Sequence, residues 1–264
     1  MNLIKLLQIA ALLLSVQVAF ADPAWKPNLS KAKAAFEKET GITLRAGHRI
    51  EPTIFSGYYA VRSGQAGKPS AYFREDMVWL GNVKSQGWAV HSPSENSLAG
   101  RHAWLQKQLK QIPLDQLILV KRAKPPTVVV WSAPDCPFCR KLEKTLAQED
   151  VSAYVVPVGV SEKGFQQAAQ VYCANNPSRA WTAVMEGTEI NDQVRSSCVY
   201  PRDMLNDIGF FFGMGRMATP IVIFADGATV IGWNDQGARM LLQEKIKDQI
   251  FYPTIEARGS HSQR

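Results

Sequence analysis

The chain has 264 residues, of which 46% are hydrophobic and 20% charged, and its formal net charge is +7 at pH 7. This length allows one or two domains with substantial cores. Lysine and arginine are scattered, and the dense basic run at residues 121–124 is followed by Pro125-Pro126. We interpret that run as a solvated linker, so nucleic-acid binding is not expected.

The first 21 residues have the features of an export signal. Lys5 provides a positive charge, Leu6 to Val18 is largely apolar, and Ala19-Phe20-Ala21 has the small residues of a cleavage site. We expect cleavage after Ala21, and the apolar run is too short to span a membrane. The mature chain is therefore predicted to be a soluble protein of the Gram-negative periplasm.

Residues 22–93 predict a small α+β domain built around an antiparallel sheet. Short alternating segments there are separated by glycine, proline and asparagine turns, which is typical of strands. The expected elements are a helix near residues 29–39 and strands at residues 53–61, 70–80 and 87–91. A linker helix is expected within residues 94–112, because Trp104, Leu105 and Leu109 recur at roughly helical spacing.

Residues 113–264 predict a sheet flanked by helices. Thr127 to Trp131 is a continuous β-branched run, which is typical of a strand buried on both faces. Further strands are expected at residues 152–158, 221–224 and 229–233. Helices are expected at residues 136–148, 165–173, 178–185 and 236–250.

The sequence Cys136-Pro-Phe-Cys139 lies where the buried strand gives way to a helix. Unpaired N–H groups and the positive end of the helix dipole stabilise a thiolate at such a position, which lowers the cysteine pKa. Pro137 suits the first helical turn because its missing N–H has no intrahelical partner there. Cys136 is therefore the candidate nucleophile, and Cys139 is the candidate resolving cysteine.

Two other interpretations of this motif are a zinc site and an inert structural disulfide. Zinc requires a closed set of ligands, but there is no second Cys-x-x-Cys, and the four histidines have no ligand spacing. A structural disulfide is disfavoured by the strand-to-helix position of the pair. We therefore expect neither a metal nor a cofactor, and we identify no acidic residue as a proton shuttle for Cys139.

The remaining cysteines are Cys173 and Cys198. An even number of cysteines in an exported chain favours disulfides. A bridge between these two would restrict the unfolded chain by about 3 kcal/mol. A structural disulfide is the preferred interpretation, and two buried free thiols are the alternative.

These segments together resemble the periplasmic disulfide isomerase family represented by DsbC and DsbG. The resemblance covers residues 105–250 and rests on five segments. They are Leu109 to Ala123, Thr127-Val-Val-Val-Trp-Ser-Ala-Pro-Asp-Cys-Pro-Phe-Cys-Arg-Lys-Leu, Val171-Tyr-Cys-Ala-Asn-Asn, Ser196-Ser-Cys, and Gly213-Met-Gly-Arg-Met-Ala-Thr-Pro with the apolar strand and Asp226-Gly227 that follow it. The Pro137-Phe138 dipeptide is closer to the Pro-Tyr of DsbG than to the Gly-Tyr of DsbC.

The resemblance implies a cystatin-like α+β N-terminal domain joined by the linker helix to an α/β thioredoxin-fold domain. It also implies a cis-proline at Pro220 facing the dithiol, where the backbone of Thr219 pairs with an extended substrate segment. A homodimer joined through the N-terminal domains, misfolded exported proteins as substrates and a DsbD-like membrane reductase as electron donor are implied as well.

Three functions follow as hypotheses. The first is isomerisation or reduction of wrong disulfides through Cys136. The second is a DsbG-like reduction of single cysteines oxidised to sulfenic acid. The third is a holdase that binds unfolded chains through the aromatic-rich N-terminal half, although those aromatic residues are better explained as core.

Overall fold

The computed structural model describes residues 25–63, 68–82, 87–90, 97–234, 236–245 and 247. The predicted signal and its cleavage site lie outside the described residues. Within these ranges, no helix combines the length and apolar character needed to cross a membrane.

The N-terminal part consists of one helix packed on a five-stranded antiparallel sheet. Asn28 begins the helix by accepting a hydrogen bond from the backbone N–H of Lys31, and Gly41 ends it in the left-handed conformation. Its buried Ala32 and Phe36 belong to one apolar cluster with one face of the sheet. The elements are α1 (Leu29–Thr40), β1 (His48–Pro52), β2 (Tyr58–Ser63), β3 (Lys68–Arg74), β4 (Trp79–Asn82) and β5 (Gly87–Val90), with the strands adjacent in chain order.

The strand prediction for this part is only partly right. Strand β1 is missed because it is an exposed edge strand with a mostly polar sequence. The segment predicted as one strand at 70–80 is two strands separated by a turn in which Met77 has a φ of 59°. The strand predicted from residue 53 begins only at Tyr58, because the backbone N–H of Thr53 closes a turn onto the Tyr58 carbonyl at 3.0 Å.

The C-terminal part contains a mixed five-stranded sheet with the order β10-β9-β7-β8-β6. Strands β7 and β8 are parallel, and the other pairs are antiparallel. A helix, α2 (Leu98–Leu109), and a 3-10 turn (Leu114–Gln116) lead into this part. Its elements are β6 (Ile118–Val120), β7 (Lys124–Ser132), α3 (Pro137–Gln148), β8 (Val151–Pro157), α4 (Glu162–Cys173), α5 (Pro177–Met185), α6 (Arg202–Phe212), β9 (Ile221–Phe224), β10 (Thr229–Ile231) and α7 (Gly237–Lys245).

The basic run at residues 121–124 is solvated only in part: residues 121, 123 and 124 are exposed, as predicted, whereas Arg122 is held against the fold. The Arg122 guanidinium donates to the Val151 carbonyl at 2.8 Å and forms an ion pair with the buried Glu143. Lys124 already belongs to the central strand β7. The pairing register with β8 shifts on both sides of Pro126, which is how a strand accommodates a residue without an N–H.

Helix α6 is absent from the sequence-based prediction. Its residues from Leu205 to Phe212 are all buried, including the polar Asn206 and Asp207. On one side, Trp131 of β7 donates its indole N–H to the Leu205 carbonyl at 2.9 Å. On the other side, Tyr72 of β3 stacks on Phe210 with ring centroids 4.1 Å apart. The helix is therefore enclosed between the two sheets.

A buried polar cluster lies within this contact between the two sheets. The Arg62 guanidinium and the Tyr72 hydroxyl both donate to Asp207 Oδ1, at 2.8 and 2.7 Å. Around it lies an aromatic core to which the linker helix contributes, because the Trp104 indole donates to the Tyr58 hydroxyl at 2.6 Å. Tyr58, Tyr72 and Trp79 belong to this core, and Tyr59 and Phe73 are buried on the other face of the sheet, in the cluster with α1.

Candidate active site at the Cys136-Cys139 dithiol

The chain turns sharply between β7 and α3 and places both cysteines at the start of the helix. Cys136 is the N-cap residue, with extended φ and ψ of −104° and 117°, and Pro137 occupies the first turn. Both thiols are reduced. This is the strand-to-helix junction that the sequence predicts, and it directs the unpaired N–H groups of the first turn toward Cys136.

The environment of the Cys136 sulfur favours its ionised form. The pKa of Cys136 is lowered to about 5, chiefly because the Cys139 thiol donates a hydrogen bond to it. The Thr219 side chain and the backbone N–H groups of Cys139 and Phe138 add to this lowering, whereas burial opposes it. The protonated thiol donates instead to the Thr219 carbonyl, 3.6 Å from Sγ. Cys136 is therefore largely a thiolate at neutral pH.

Cys139 has the opposite character. Its side chain is fully buried, and the backbone N–H of Ala133 lies 3.4 Å from its sulfur. Burial raises the pKa of Cys139 far above the ordinary value for a thiol, and its hydrogen bond to Cys136 raises it further. Cys139 therefore remains a proton donor while Cys136 carries the charge.

The segment opposite the dithiol begins strand β9. The Thr219–Pro220 peptide bond is cis, and the Pro220 carbonyl accepts a hydrogen bond from the N–H of Gly232 at 2.7 Å. Thr219 thus has both its hydroxyl and its carbonyl beside Cys136. The structure therefore brings Cys136, Cys139, Thr219 and Pro220 together.

An open apolar cavity of about 540 Å³ adjoins the dithiol. Phe138, which is 53% exposed, and Thr219 form its side nearest the cysteines. Cys136 itself is only 5% exposed, so a substrate sulfur must approach along a narrow path. The remaining lining residues come from β10, α7 and the loop between them; they include Val230, Ile231, Trp233 and Leu241.

The sequence analysis identifies no acidic residue as a proton shuttle for Cys139, and in the structure the helix that carries Cys139 also carries a buried carboxylate. Glu143 follows Cys139 by one helical turn and is 9% exposed. One of its oxygens accepts from Arg122, and the other accepts from the Trp181 indole at 3.2 Å. Its partners lie far away in sequence, so spacing alone gave no signal for it.

Cys173 and Cys198 form a disulfide. It joins the end of α4 to the loop that precedes α6, and the Arg195 N–H reinforces this connection by donating to the Cys173 carbonyl at 2.8 Å. The bridge thus fastens a long loop and does not take part in the dithiol site.

Comparison with known proteins defines the class. Residues 114–238 match the family described as a thioredoxin-like domain. This match covers slightly less than half of the chain and includes the reduced dithiol at the start of α3, so the C-terminal half is similar to a thioredoxin-like domain. The resemblance that the sequence indicates is confirmed at this level.

The curated relatives are more specific. Proteins named probable thiol:disulfide interchange protein DsbC from Bordetella parapertussis and Bordetella bronchiseptica are each 24% identical over 160 residues, which is 55% of this chain and 54% of theirs. The chain thus spans about half the length of the curated relatives it matches. A solved disulfide interchange protein from Neisseria gonorrhoeae is 27% identical, with a TM-score of 0.45, covering 52% of this chain and 98% of that one.

Proposed function

We propose that the protein is a periplasmic thiol-disulfide oxidoreductase that isomerises or reduces incorrect disulfides in exported proteins. The observation that carries this proposal is the asymmetry of the dithiol. Cys136 is held as a thiolate beside Thr219, while the buried Cys139 keeps its proton. An attacking and a resolving cysteine require this division of roles. The predicted export signal supports the periplasmic location.

In the first step, the Cys136 thiolate attacks one sulfur of a substrate disulfide. The substrate S–S bond breaks, a mixed disulfide forms, and the other substrate sulfur leaves as a thiolate that takes up a proton. The low pKa of Cys136 keeps the nucleophile charged at neutral pH without a separate base. This exchange causes no net oxidation or reduction, so it needs neither an oxidant nor a reductant.

The second step determines the outcome. If another substrate thiolate attacks the mixed disulfide, Cys136 is released and the substrate has exchanged one disulfide for another. If Cys139 loses its proton and attacks the Cys136 sulfur, the substrate leaves reduced and the enzyme becomes oxidised. The second route needs two electrons per cycle, which we assign to a DsbD-like membrane reductase.

Substrate binding is assigned to Thr219 and Pro220 together with the apolar cavity. An extended segment pairing with the Thr219 backbone would bring its cysteine next to Cys136. The exposed Phe138 ring and the apolar lining favour segments with large apolar side chains, which folded proteins bury. Misfolded proteins are the substrates that present such segments.

The N-terminal part, whose helix-on-sheet fold we interpret as cystatin-like, is proposed to form a homodimer. Strand β1 lies at the edge of its sheet and is largely exposed, which is the arrangement needed for pairing with a second chain. A holdase function based on the N-terminal aromatic residues receives no support, because Tyr58, Tyr72 and Trp79 are buried against α6, and Tyr59 and Phe73 are buried in the cluster with α1. Light scattering of the mature protein tests the dimer, and a monomer at micromolar concentration would exclude it.

The test of the function is reactivation of a scrambled multi-disulfide protein. We expect Cys136→Ser to abolish reactivation. Cys139→Ser should retain the first step and accumulate mixed disulfides, because only the resolving thiol is lost. Activity in Cys136→Ser would refute the assignment. Substrates trapped on Cys139→Ser distinguish the reactions, since partners with several cysteines support isomerisation and partners with one cysteine support reduction of sulfenic acids instead.

A further inference from the structure

We propose that Asp135 is a positioning residue for Cys136. Its carboxylate, held at the amino end of helix α4, fixes the turn from which the Cys136 sulfur faces Thr219. This inference rests on the proposed thiol-disulfide exchange at Cys136. Asp135 directly precedes the Cys-x-x-Cys motif, and the exchange chemistry described above gives it no role.

The Asp135 carboxylate connects two separate parts of the chain. Oδ1 accepts a hydrogen bond from the backbone N–H of Val160 at 3.0 Å. Oδ2 accepts from the backbone N–H of Ser161 at 2.8 Å and from its hydroxyl at 2.7 Å. Ser161 is the N-cap of α4, and its hydroxyl oxygen accepts from the N–H of Gly164 at 3.1 Å. The β7–α3 turn is thereby fastened to the β8–α4 turn.

The chain has no spare room around this carboxylate. A Cβ added at Gly164 would lie 2.2 Å from the Asp135 carboxylate, far closer than atoms tolerate. A Cβ at Gly159 would lie 2.1 Å from the backbone nitrogen of Phe165. Glycine at both positions lets the β8–α4 turn close around the Asp135 side chain, so the contact is a built feature of the fold.

The rest of the β7–α3 turn is held as well, so Asp135 completes a rigid frame. Arg140 Nε donates to the Pro134 carbonyl at 3.1 Å, and the backbone N–H of Cys136 donates to the Ala133 carbonyl at 3.2 Å. The Cys136 thiolate depends on hydrogen bonds from Cys139 and the first turn of α3. A small displacement of the turn would lengthen these bonds and weaken the thiolate.

An alternative is that Asp135 acts on the pKa of Cys136 through its negative charge, and this role would have the opposite effect. Burial opposes its ionisation, but hydrogen bonds from Val160 and Ser161 hold the pKa of Asp135 below its usual value. A carboxylate next to a thiolate disfavours that thiolate, so removing the charge alone would lower the pKa of Cys136. A positioning role predicts the opposite sign, and this difference makes the proposal testable.

The test measures the rate of Cys136 alkylation by iodoacetamide as a function of pH in the reduced full-length protein. Asp135→Asn removes the charge and the Oδ2 acceptor, whereas Gly164→Ala keeps the charge but displaces the carboxylate.

Asp192→Ala is the matched control. The Asp192 carboxylate also accepts from a helix N-cap residue, the N–H of Asn176 at 2.9 Å, but that helix is α5. Thermal unfolding of each variant verifies that it is folded.

We expect both Asp135→Asn and Gly164→Ala to move the alkylation midpoint to higher pH by about one unit, which slows alkylation about tenfold below the wild-type midpoint and leaves the rate above pH 7 little changed. Asp192→Ala should match the wild type. A wild-type midpoint in either folded variant, or a lower midpoint in Asp135→Asn, would overturn the proposal. If one variant does not fold, the other decides by the same criteria. A wild-type Cys136 that titrates like a free thiol would refute the proposed function itself, which is a distinct result.

Discussion

Thr219 acts on Cys136 through two groups with opposite effects. Its side chain favours the thiolate, whereas its carbonyl accepts from the protonated thiol at 3.6 Å. Because the same residue begins the segment proposed to bind substrate, the hydrogen bonds that stabilise the thiolate lie on the path of the incoming disulfide. The Thr219 side chain therefore stabilises the nucleophile and also belongs to the segment proposed to bind substrate.

Substituting Thr219 tests this role. Thr219→Val keeps the shape but removes the hydroxyl, so we expect the pKa of Cys136 to rise above its value of about 5. Thr219→Ser keeps the hydroxyl and serves as the control, with little change expected. The pH dependence of the thiolate ultraviolet absorbance measures both. An unchanged pKa in Thr219→Val would show that the hydroxyl does not contribute.

At the scale of elements, helix α6 links the N-terminal sheet to the active site. It packs against Trp131 of the strand that leads to the dithiol, and the segment that follows it leads to Thr219. A Cβ at Gly209 would lie 2.2 Å from the Trp131 ring, so the helix and this strand approach as closely as the backbone allows. The N-terminal sheet thus supports a helix from which the chain continues to the substrate-binding segment.

Two aspartates on α6 contact the same arginine and differ in burial. Asp207 and Arg62 have side chains that are 3% and 2% exposed, so Asp207→Ala leaves a buried cation with a lost partner and should cost about 3 kcal/mol of unfolding free energy. Asp203, 47% exposed, lies 3.4 Å from the same guanidinium, and Asp203→Ala should cost less than about 1 kcal/mol. Urea unfolding compares them, and equal losses would contradict this account.

Features that depend on neighbouring residues were predicted from the sequence, whereas features that depend on distant residues were missed. The Cys136-Cys139 motif was recognisable from its short spacing and its position after a buried strand, and the Thr219-Pro220 segment was recognisable from the family resemblance. Helix α6 was not recognised, and the side chains that enclose it belong to the distant strands β3 and β7. Asp135 and Asp207 were not recognised because their partners lie at distant sequence positions, and no spacing rule relates them.

At the scale of the whole molecule, one apolar cluster runs from the N-terminal sheet to the dithiol. It includes Tyr72 and Trp79 of that sheet, Phe211 of α6, and both Cys136 and Cys139. Removal of the N-terminal part would expose the aromatic face of α6 to water. The two parts are therefore expected to unfold together, although the sequence predicts separate domains at residues 22–93 and 113–264.

Cooperative unfolding can be measured directly. In urea, alkylation of the buried Cys139 should begin at the same denaturant concentration at which the amides of β2 and β3 lose protection from hydrogen exchange. Tyr72→Ala removes a ring stacked on Phe210 and the hydroxyl bonded to Asp207, so it should lower both midpoints together. Protection of Cys139 that persists after β2 and β3 have exchanged would demonstrate two independent units.

The most direct test of the whole account is the titration of Cys136 in the reduced protein, followed by thiolate absorbance and by alkylation rate. The structure predicts a midpoint near pH 5, with Cys139 remaining protonated across the neutral range. Because the thiolate reacts and the thiol does not, alkylation should be nearly independent of pH above 6 and should fall as pH drops through about 5. A midpoint near about 8.5, as in a free peptide, would contradict the proposed nucleophile.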